Sequence, residues 1–388
     1  MREGTPPDGY EAALGLAWMG VSAGSTLPRL LKEMEPQRIW RASAWQLVAW
    51  GATRRAAEAF VEARKGVDVS AASTALAELG LRLLPIGSSA YPAELRHLES
   101  PPAGLFVRSS VEPLKRLLDL PRISIVGTRK ATPEGLRVAE AFARAFATRG
   151  VTVISGMAMG IDAQVHRSTL DGGGLTVAIL GCGADVVYPR SHRWLYERIS
   201  ERGIVASELP PGSRPTRWTF PYRNRLLAAL GDAVLVVQGS NKSGALQTAK
   251  WALELGRPVF SVPGSIMRKD SEGCNTLLYE GAAPALDPEV TVEDFLQQTR
   301  IERGKRRVPD GDPAASPAHD LRSAASPEDS RQRQVLDAVG TGPMTADRLV
   351  MLTGLSVREV GAALGGLEAA GKVIRGGPGT YLLATRPP

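Results

Sequence analysis

Five short apolar runs, each stopping at glycine or a small polar residue, limit most strongly what this chain can fold into. Ile123-Ser124-Ile125-Val126 runs into Gly127-Thr128-Arg129, and Val151 to Ser155 runs into Gly156-Met157-Ala158-Met159-Gly160. Leu175 to Leu180 stops at Gly181-Cys182-Gly183, Ala233 to Val237 at Gln238-Gly239-Ser240, and Pro258 to Val262 at Pro263-Gly264. A short run without polar alternation reads as a strand covered on both faces, as in a parallel sheet. Helical patterns fill the intervals: Thr132-Pro133-Glu134 supplies a cap, a first-turn proline and an acid for a helix ending near Arg149, a second helix ends near Leu170, and Ala245 to Leu255 forms another. One glycine turn alone is an ordinary short connection. Five in register imply an α/β fold, an extended Rossmann-like, doubly wound and mostly parallel sheet.

Ligands of such sheets bind beyond the carboxyl ends of the strands, so the five turns should converge on one crevice. Glycine lets backbone approach a ligand closely, and a helix start offers unpaired N–H groups to an anion. Arg129 would stand over that anion.

With 388 residues, 43% of them hydrophobic and 22% charged, the chain can bury a large core and divide into two or three domains. No apolar run approaches the ~20 residues that span a bilayer, and the opening MREGTPPDGY lacks the apolar core of a signal peptide. No membrane role and a cytoplasmic location are therefore expected. Two distant cysteines, Cys182 and Cys274, and four histidines in no metal-binding spacing argue against a disulfide framework or structural zinc. The net charge of +7 favours an anionic partner such as nucleic acid.

Four domains are expected. Residues 1–82 read as helical, of SAM or helix-hairpin-helix type, with Trp18, Trp40, Trp45 and Trp50 as core residues and Gly20-Val21-Ser22-Ala23-Gly24 as a faint hairpin turn. Residues 83–298 carry the Rossmann-like sheet, with LLPI and GLFV as extra strands at its edge beside Pro92, Pro101 and Pro102. Residues 299–330, rich in proline, serine and charge, read as a flexible linker whose Arg303, Lys305, Arg306 and Arg307 are solvated. Residues 331–388 read as a winged helix: helices at 331–339, 345–352 and 356–370, then a hairpin turning at Gly376-Gly377-Pro378-Gly379. Three basic and three acidic residues between Met344 and Lys372 make this module a poor duplex reader, and docking on protein is expected of it instead.

Ser207 to Leu230 combines Arg214, Arg217, Arg223 and Arg225 with Trp218, Phe220 and Tyr222, the first half a proline-rich loop and the second a helix from near Tyr222. Guanidinium groups grip phosphates and aromatic faces stack on unpaired bases, which suits a single strand. A solvated basic loop with inward-packed aromatics accounts for the segment equally well.

In order along the chain stand ISIVGTR, VISGMAMGIDAQVH, TVAILGCGADVVYP, SELPPGS, FPYRNRLLAAL, NKSGALQTAKWALELGRPVFSVPG and GCNTLLYEGA. In these motifs, covering most of Leu83 to Leu296, the chain resembles the DprA/Smf family of DNA-processing proteins. The resemblance implies a non-enzymatic protein without cofactor that binds single-stranded DNA, forms homodimers and loads the RecA recombinase during natural transformation. Carried over by position, it implies a phosphate pocket at Gly127, Thr128 and Arg129, with Arg217 as the second basic contact and Phe220 as the base-stacking residue. Asn224, Arg225, Lys242, Ser243 and Gly244 match motif positions on the same crevice, and Arg190 would add a phosphate contact. Arg217 replaces a common lysine and Thr128 a common serine, both keeping a donor, whereas Met159 replaces a polar residue and is assigned no DNA role. The dimer surface is expected near Leu277 to Ala285.

Two other classes remain open. A nucleotide-processing phosphoribohydrolase would use the same sheet, but Ser243 to Thr248 is followed by Ala249, Lys250 and Trp251, without that class's glutamate. Walker and dinucleotide glycine spacings are also missing. Asp162 and His166, four apart on a helix, could form an acid–base pair, although an aspartate capping amides with a satisfied histidine one turn on is the favoured reading. A transcription regulator would rely on the winged helix.

Overall fold

The computed structural model describes residues 9–20, 26–110, 120–306, 327–339, 344–353, 355–370, 372–377 and 380–383. It falls into two compact units, Met1–Pro309 and Asp310–Pro388.

The first unit is built on a nine-stranded sheet. Its strands are β1 (Arg82–Pro85), β2 (Gly104–Arg108), β3 (Arg122–Val126), β4 (Thr152–Ser155), β5 (Thr176–Ile179), β6 (Ile204–Ser207), β7 (Ala233–Val236), β8 (Val259–Ser261) and β9 (Ala283–Pro284). They lie in the order β1-β2-β6-β5-β4-β3-β7-β8-β9. From β6 to β9 all neighbours are parallel, and β2 and β1 add an antiparallel edge. The chain winds outward from β3 through β4, β5 and β6, returns to the other side of β3, and winds out again through β7, β8 and β9. The topological switch therefore falls at β3, flanked by β4 and β7.

All five apolar runs are strands, and residues neighbouring in sequence enter cores on opposite faces. Val126, Ile154, Val234 and Val236 face one core, whereas Ile123, Ile125, Val153 and Leu235 face the other with Phe142, Phe146 and Phe295. Cover on both faces explains the lack of alternation. Thr132 caps the helix Pro133–Thr148 by accepting from Gly135 N at 3.0 Å, with proline in the first turn as the sequence implied. Two strands of this sheet escaped the sequence reading: β6, which runs into Glu208 and prolines rather than a glycine turn, and β9, which is only two residues long.

Among the described residues, six helices between Gly9 and Glu78 form the amino-terminal segment. Leu16, Ile39, Trp40, Leu47 and Phe60 join the same core as Val126 and Val236, so this segment packs on the sheet rather than standing apart. Of the four tryptophans expected inside, Trp40 is buried over Gly15, where it leaves no space for a Cβ, and Trp18 meets the edge of Phe106. Trp45 is 72% exposed, which corrects the core expectation for that ring. The hairpin turn expected at Gly20 to Gly24 lies, from Val21 on, outside the described residues.

The closing helix of this unit runs Pro288–Arg306, starting four residues before the expected Val292 because Asp287 accepts from Glu289 N at 2.9 Å and Val290 N at 3.1 Å. It carries through the first residues expected as linker; 307–326 lie outside the described residues. Leu277 and Ala285, expected at a dimer surface, are both buried, and the exposed apolar groups nearby are Tyr279, Leu286 and Val290.

The second unit is a winged helix. Helices Pro327–Val339, Ala346–Thr353 and Val357–Ala369 enclose Val335, Leu349, Val360 and Leu364, and β11 (Val373–Gly377) pairs with β12 (Thr380–Leu383), which also pairs with the short β10 (Met344–Thr345). Ser356 and Glu359 form a reciprocal capping box at the start of its third helix. Among the described residues, no helix is long and apolar enough to cross a membrane.

Candidate nucleic-acid interface

Beyond the carboxyl ends of β3, β4 and β7 lies a cleft of about 640 Å³. Two turns form its floor, and they fit together because two residues lack side chains. A Cβ on Gly127 would stand 2.5 Å from Ile161 Cγ1, and a Cβ on Gly160 would strike the Thr128 carbonyl. Gly160 also has φ +78°, which an L side chain adopts with strain. Hydrogen bonds close the arrangement: Ile161 N donates to Thr128 O at 3.2 Å, and Thr128 N donates to Gln238 O at 2.8 Å.

Asp162 and Arg223 lie under this floor. Asp162 is buried and accepts from Ala158 N at 3.4 Å, with the amides of Gly156 and Gly127 also directed at it. Burial raises its carboxyl above the ordinary range, against the pull of Arg223 and these amides. Arg223 donates to Gly156 O at 3.0 Å, to Ile179 O, and through Nε to Asn224 Oδ1 at 3.3 Å. Burial lowers it to about 10, so it is a cation at neutral pH. His166 contacts Thr176 Oγ1 through Nδ1 at 2.7 Å, and burial, with Arg223 and His192 adding to it, lowers its pKa to about 3. The geometry thus favours the capping reading of Asp162, while His166, expected to be satisfied, is bonded at Nδ1 and buried without a hydrogen-bond partner at Nε2.

The walls carry the exposed groups. The Arg129 guanidinium lies over the Phe220 ring at 5.0 Å, and Tyr188 packs against Phe220 at 5.5 Å between centroids. Arg217 lies over Trp218 at 4.7 Å. Across the cleft stands the helix Gly244–Glu254, whose N-cap Ser243 accepts from Ala245 N at 3.3 Å, with Lys242 beside it. Asn224 donates to Gly244 O at 3.1 Å and holds that helix start in place. Four cations, Arg129, Arg217, Arg223 and Lys242, share the lining with one carboxylate, the buried Asp162. Nothing anionic competes at the surface with an incoming phosphate. Among the described residues, no three histidine, cysteine or acidic side chains come together as a metal site would need.

The cleft therefore brings together Gly127, Thr128, Arg129, Arg217, Phe220, Asn224, Lys242, Ser243 and Gly244. Arg225 does not join them. It is 3% exposed, holds Glu208 through both Nη atoms at 2.9 and 2.6 Å, donates to Ser100 O at 3.1 Å and faces the amino-terminal helices. Arg190 stands exposed beside the cleft, in the short helix Arg190–His192, rather than in its lining. The sequence reading counted Arg223 among the arginines of this segment but did not assign it to the cleft, for a traceable reason. The helix starts at Thr219, not Tyr222, so Phe220, Arg223, Asn224 and Leu227 share one face while Arg225 points elsewhere. The i, i+3, i+4, i+7 spacing from Phe220 was the available signal.

A mostly parallel sheet with a basic, aromatic-walled cleft at its switch point, in a chain that also carries a winged helix, defines a class of nucleic-acid-handling proteins. Within it, a family model described as DNA recombination-mediator protein A matches residues 82–298, and a DprA winged helix model matches 316–379. The chain belongs to the DprA/Smf family. It is 36% identical to the Smf protein of Synechocystis over 73% of this chain and 75% of that one, and 34% identical to Escherichia coli Smf over 87% and 86%. Among solved structures it resembles DprA of Streptococcus pneumoniae, at 30% identity and TM-score 0.62 over 74% of this chain and 97% of that one. It also resembles Helicobacter pylori DprA, whose structure is described by a single-stranded DNA binding mode, at 28% identity and TM-score 0.51 over 56% and 96%.

Two outcomes follow from these environments. Arg225→Ala would leave Glu208 buried without its cation and cost about 3–5 kcal/mol in urea unfolding, with oligonucleotide affinity of the folded protein kept; a stable variant with lost affinity would reverse the assignment. His166 binds its proton near pH 6.5 when unfolded but only near 3 when folded, so its share of stability is complete above about pH 6.5 and is lost as pH falls. Between about pH 6.5 and 5, His166→Gln should remove up to roughly 1.4 kcal/mol per pH unit of slope in unfolding free energy, and an unchanged slope would refute the burial argument.

Proposed function

We propose that the chain binds single-stranded DNA in this cleft and passes it to the RecA recombinase during natural transformation, acting as a mediator rather than an enzyme. One observation carries the reading: Arg129 and Arg217, neither paired to a carboxylate among the described residues, lie over the Phe220 and Trp218 rings in the lining of a cleft faced by a helix start. Phosphate grip and base stacking are then available within one nucleotide's reach. The binding mode by which the Helicobacter relative is described supports the same reading. Hydrolysis of a nucleotide would need a carboxylate free to work in the cleft, and Asp162 is buried and bound to backbone amides. RecA loading rests on the family resemblance, and a DNA-bound role of this kind is cytoplasmic.

Fluorescence anisotropy of a labelled oligonucleotide, single-stranded and annealed, across a salt series tests the first half. Log affinity for the single strand should fall with log salt at about −0.7 per phosphate neutralised, and Arg129→Ala with Arg217→Ala should flatten that slope by about two contacts. Duplex preference that survives both substitutions would favour the winged-helix regulator instead. RecA filament growth on the same strand, stimulated by the native chain and not by the double variant, tests the second half.

Homodimer formation is proposed through the sheet edge at β9, where Tyr279 is 94% and Leu286 76% exposed, with Val290 beside them. An open edge flanked by large apolar groups is a surface that natural proteins cover. Light scattering at micromolar concentration should give twice the chain mass, and Tyr279→Glu with Leu286→Glu should halve it; a native monomer would defeat the proposal.

A further inference from the structure

Outside the cleft, exposed arginines lie over indole rings in two further places among the described residues: Arg38 over Trp50 at 5.0 Å in the amino-terminal helices, and a cluster around Trp194, which alone of the two adjoins the cleft. Arg167, on the helix Ile161–Asp171, lies over the indole of Trp194 at 5.0 Å, and Arg198 lies at 5.8 Å from the same ring. Arg198 is matched by Asp171 at 2.8 Å, and Arg193 by Glu197 at 4.0 Å. Arg167 and Arg190 are exposed, and no carboxylate lies within ion-pair distance of either among the described residues. The Arg225–Tyr222 stack shows the contrast: its guanidinium is buried against Glu208, which makes it a structural contact.

The cluster is continuous with the cleft. Phe220 packs on Tyr188; Pro189 and Arg190 follow; His192 Nδ1 lies 3.3 Å from Met157 O in the turn after β4; and Trp194 sits in the next helical turn. Arg167 stands five residues beyond Asp162 on the helix that starts at the cleft floor, about 7.5 Å along its axis. An arginine held flat on an aromatic ring offers its outer face to a base and its N–H edges to a phosphate, and it loses little freedom on binding.

We propose that this Arg167–Trp194 stack is a second contact for single-stranded nucleic acid, which takes the strand as it leaves the cleft past Tyr188 and Arg190. The inference rests on the cleft being the primary site for a single strand. It makes the binding surface longer than the cleft, so the contact matters only to strands long enough to span both.

The experiment compares oligothymidylates of about six and about twenty nucleotides on the full-length chain. The proteins are the native chain, Arg167→Ala with Trp194→Ala, Arg167→Lys, and Arg129→Ala. These side chains are at the surface, and circular dichroism checks that each variant is folded. The double variant should bind the long strand about tenfold more weakly and the short strand as the native chain does, with a salt slope for the long strand reduced by about 0.7. Arg167→Lys should restore the salt slope but not the full affinity, because an ammonium keeps the charge without the planar stack. Arg129→Ala should weaken both lengths. Equal weakening of both lengths by the double variant, or no effect on either, would overturn the second contact while leaving the cleft intact. Failure of the native chain to bind either strand would overturn both.

Discussion

The fit between two turns that leave no room for a side chain is the constraint on which the site depends. Gly127 lies against Ile161 and Gly160 against the Thr128 carbonyl, so the loops after β3 and β4 form one surface. The sheet forces this closeness, since neighbouring parallel strands lie only about 4.8 Å apart and their turns leave from the same end. Asp162 and Arg223 then satisfy the amides and carbonyls which that closeness would strand: the carboxyl gathers the amides, and the guanidinium gathers the carbonyls of Gly156 and Ile179. The buried pair holds the floor, and the exposed arginines above it are free for a ligand.

One short segment shows how tertiary environment assigns different work to one residue type. Arg217, Arg223 and Arg225 lie within nine residues. Arg217 precedes the helix and is exposed; Arg223 faces inward beneath the cleft; Arg225, two residues on, turns toward the amino-terminal helices and meets Glu208. A hundred degrees of rotation per residue on a helix between two layers is enough to separate a solvent-facing group, a supporting group and a buried ion pair. The net positive charge is thus a poor guide to the site, because part of it is already matched inside the protein.

Much of the fold was legible because it rests on local regularities. Buried strands in a parallel sheet appear as unbroken apolar runs, glycine marks the turns, and Thr132-Pro133 marks a helix start that chain chemistry alone prefers. The weak points were the shortest strands, the helix starts at Thr219 and Pro288, and Trp45, whose apolar character suggested a core it does not enter. Each of these depends on contacts from elsewhere in the chain, which local patterning does not carry.

By itself the sequence determined the alternation of strand and helix, the glycine turns that must meet at one end of the sheet, and a segment in which arginines and aromatic residues interleave, its role as wall or solvated loop left even. Those properties follow from the spacing of apolar residues and the conformational freedom of glycine. Tertiary structure decided which cations face solvent: Arg129 and Arg217 on aromatic rings, Arg223 under the floor, Arg225 locked to Glu208, and Arg167 stacked on Trp194 outside the cleft. The reason is physical. A guanidinium's role is set by which carboxylates, carbonyls and rings surround it, and residues distant in sequence supply those neighbours only once the sheet is wound.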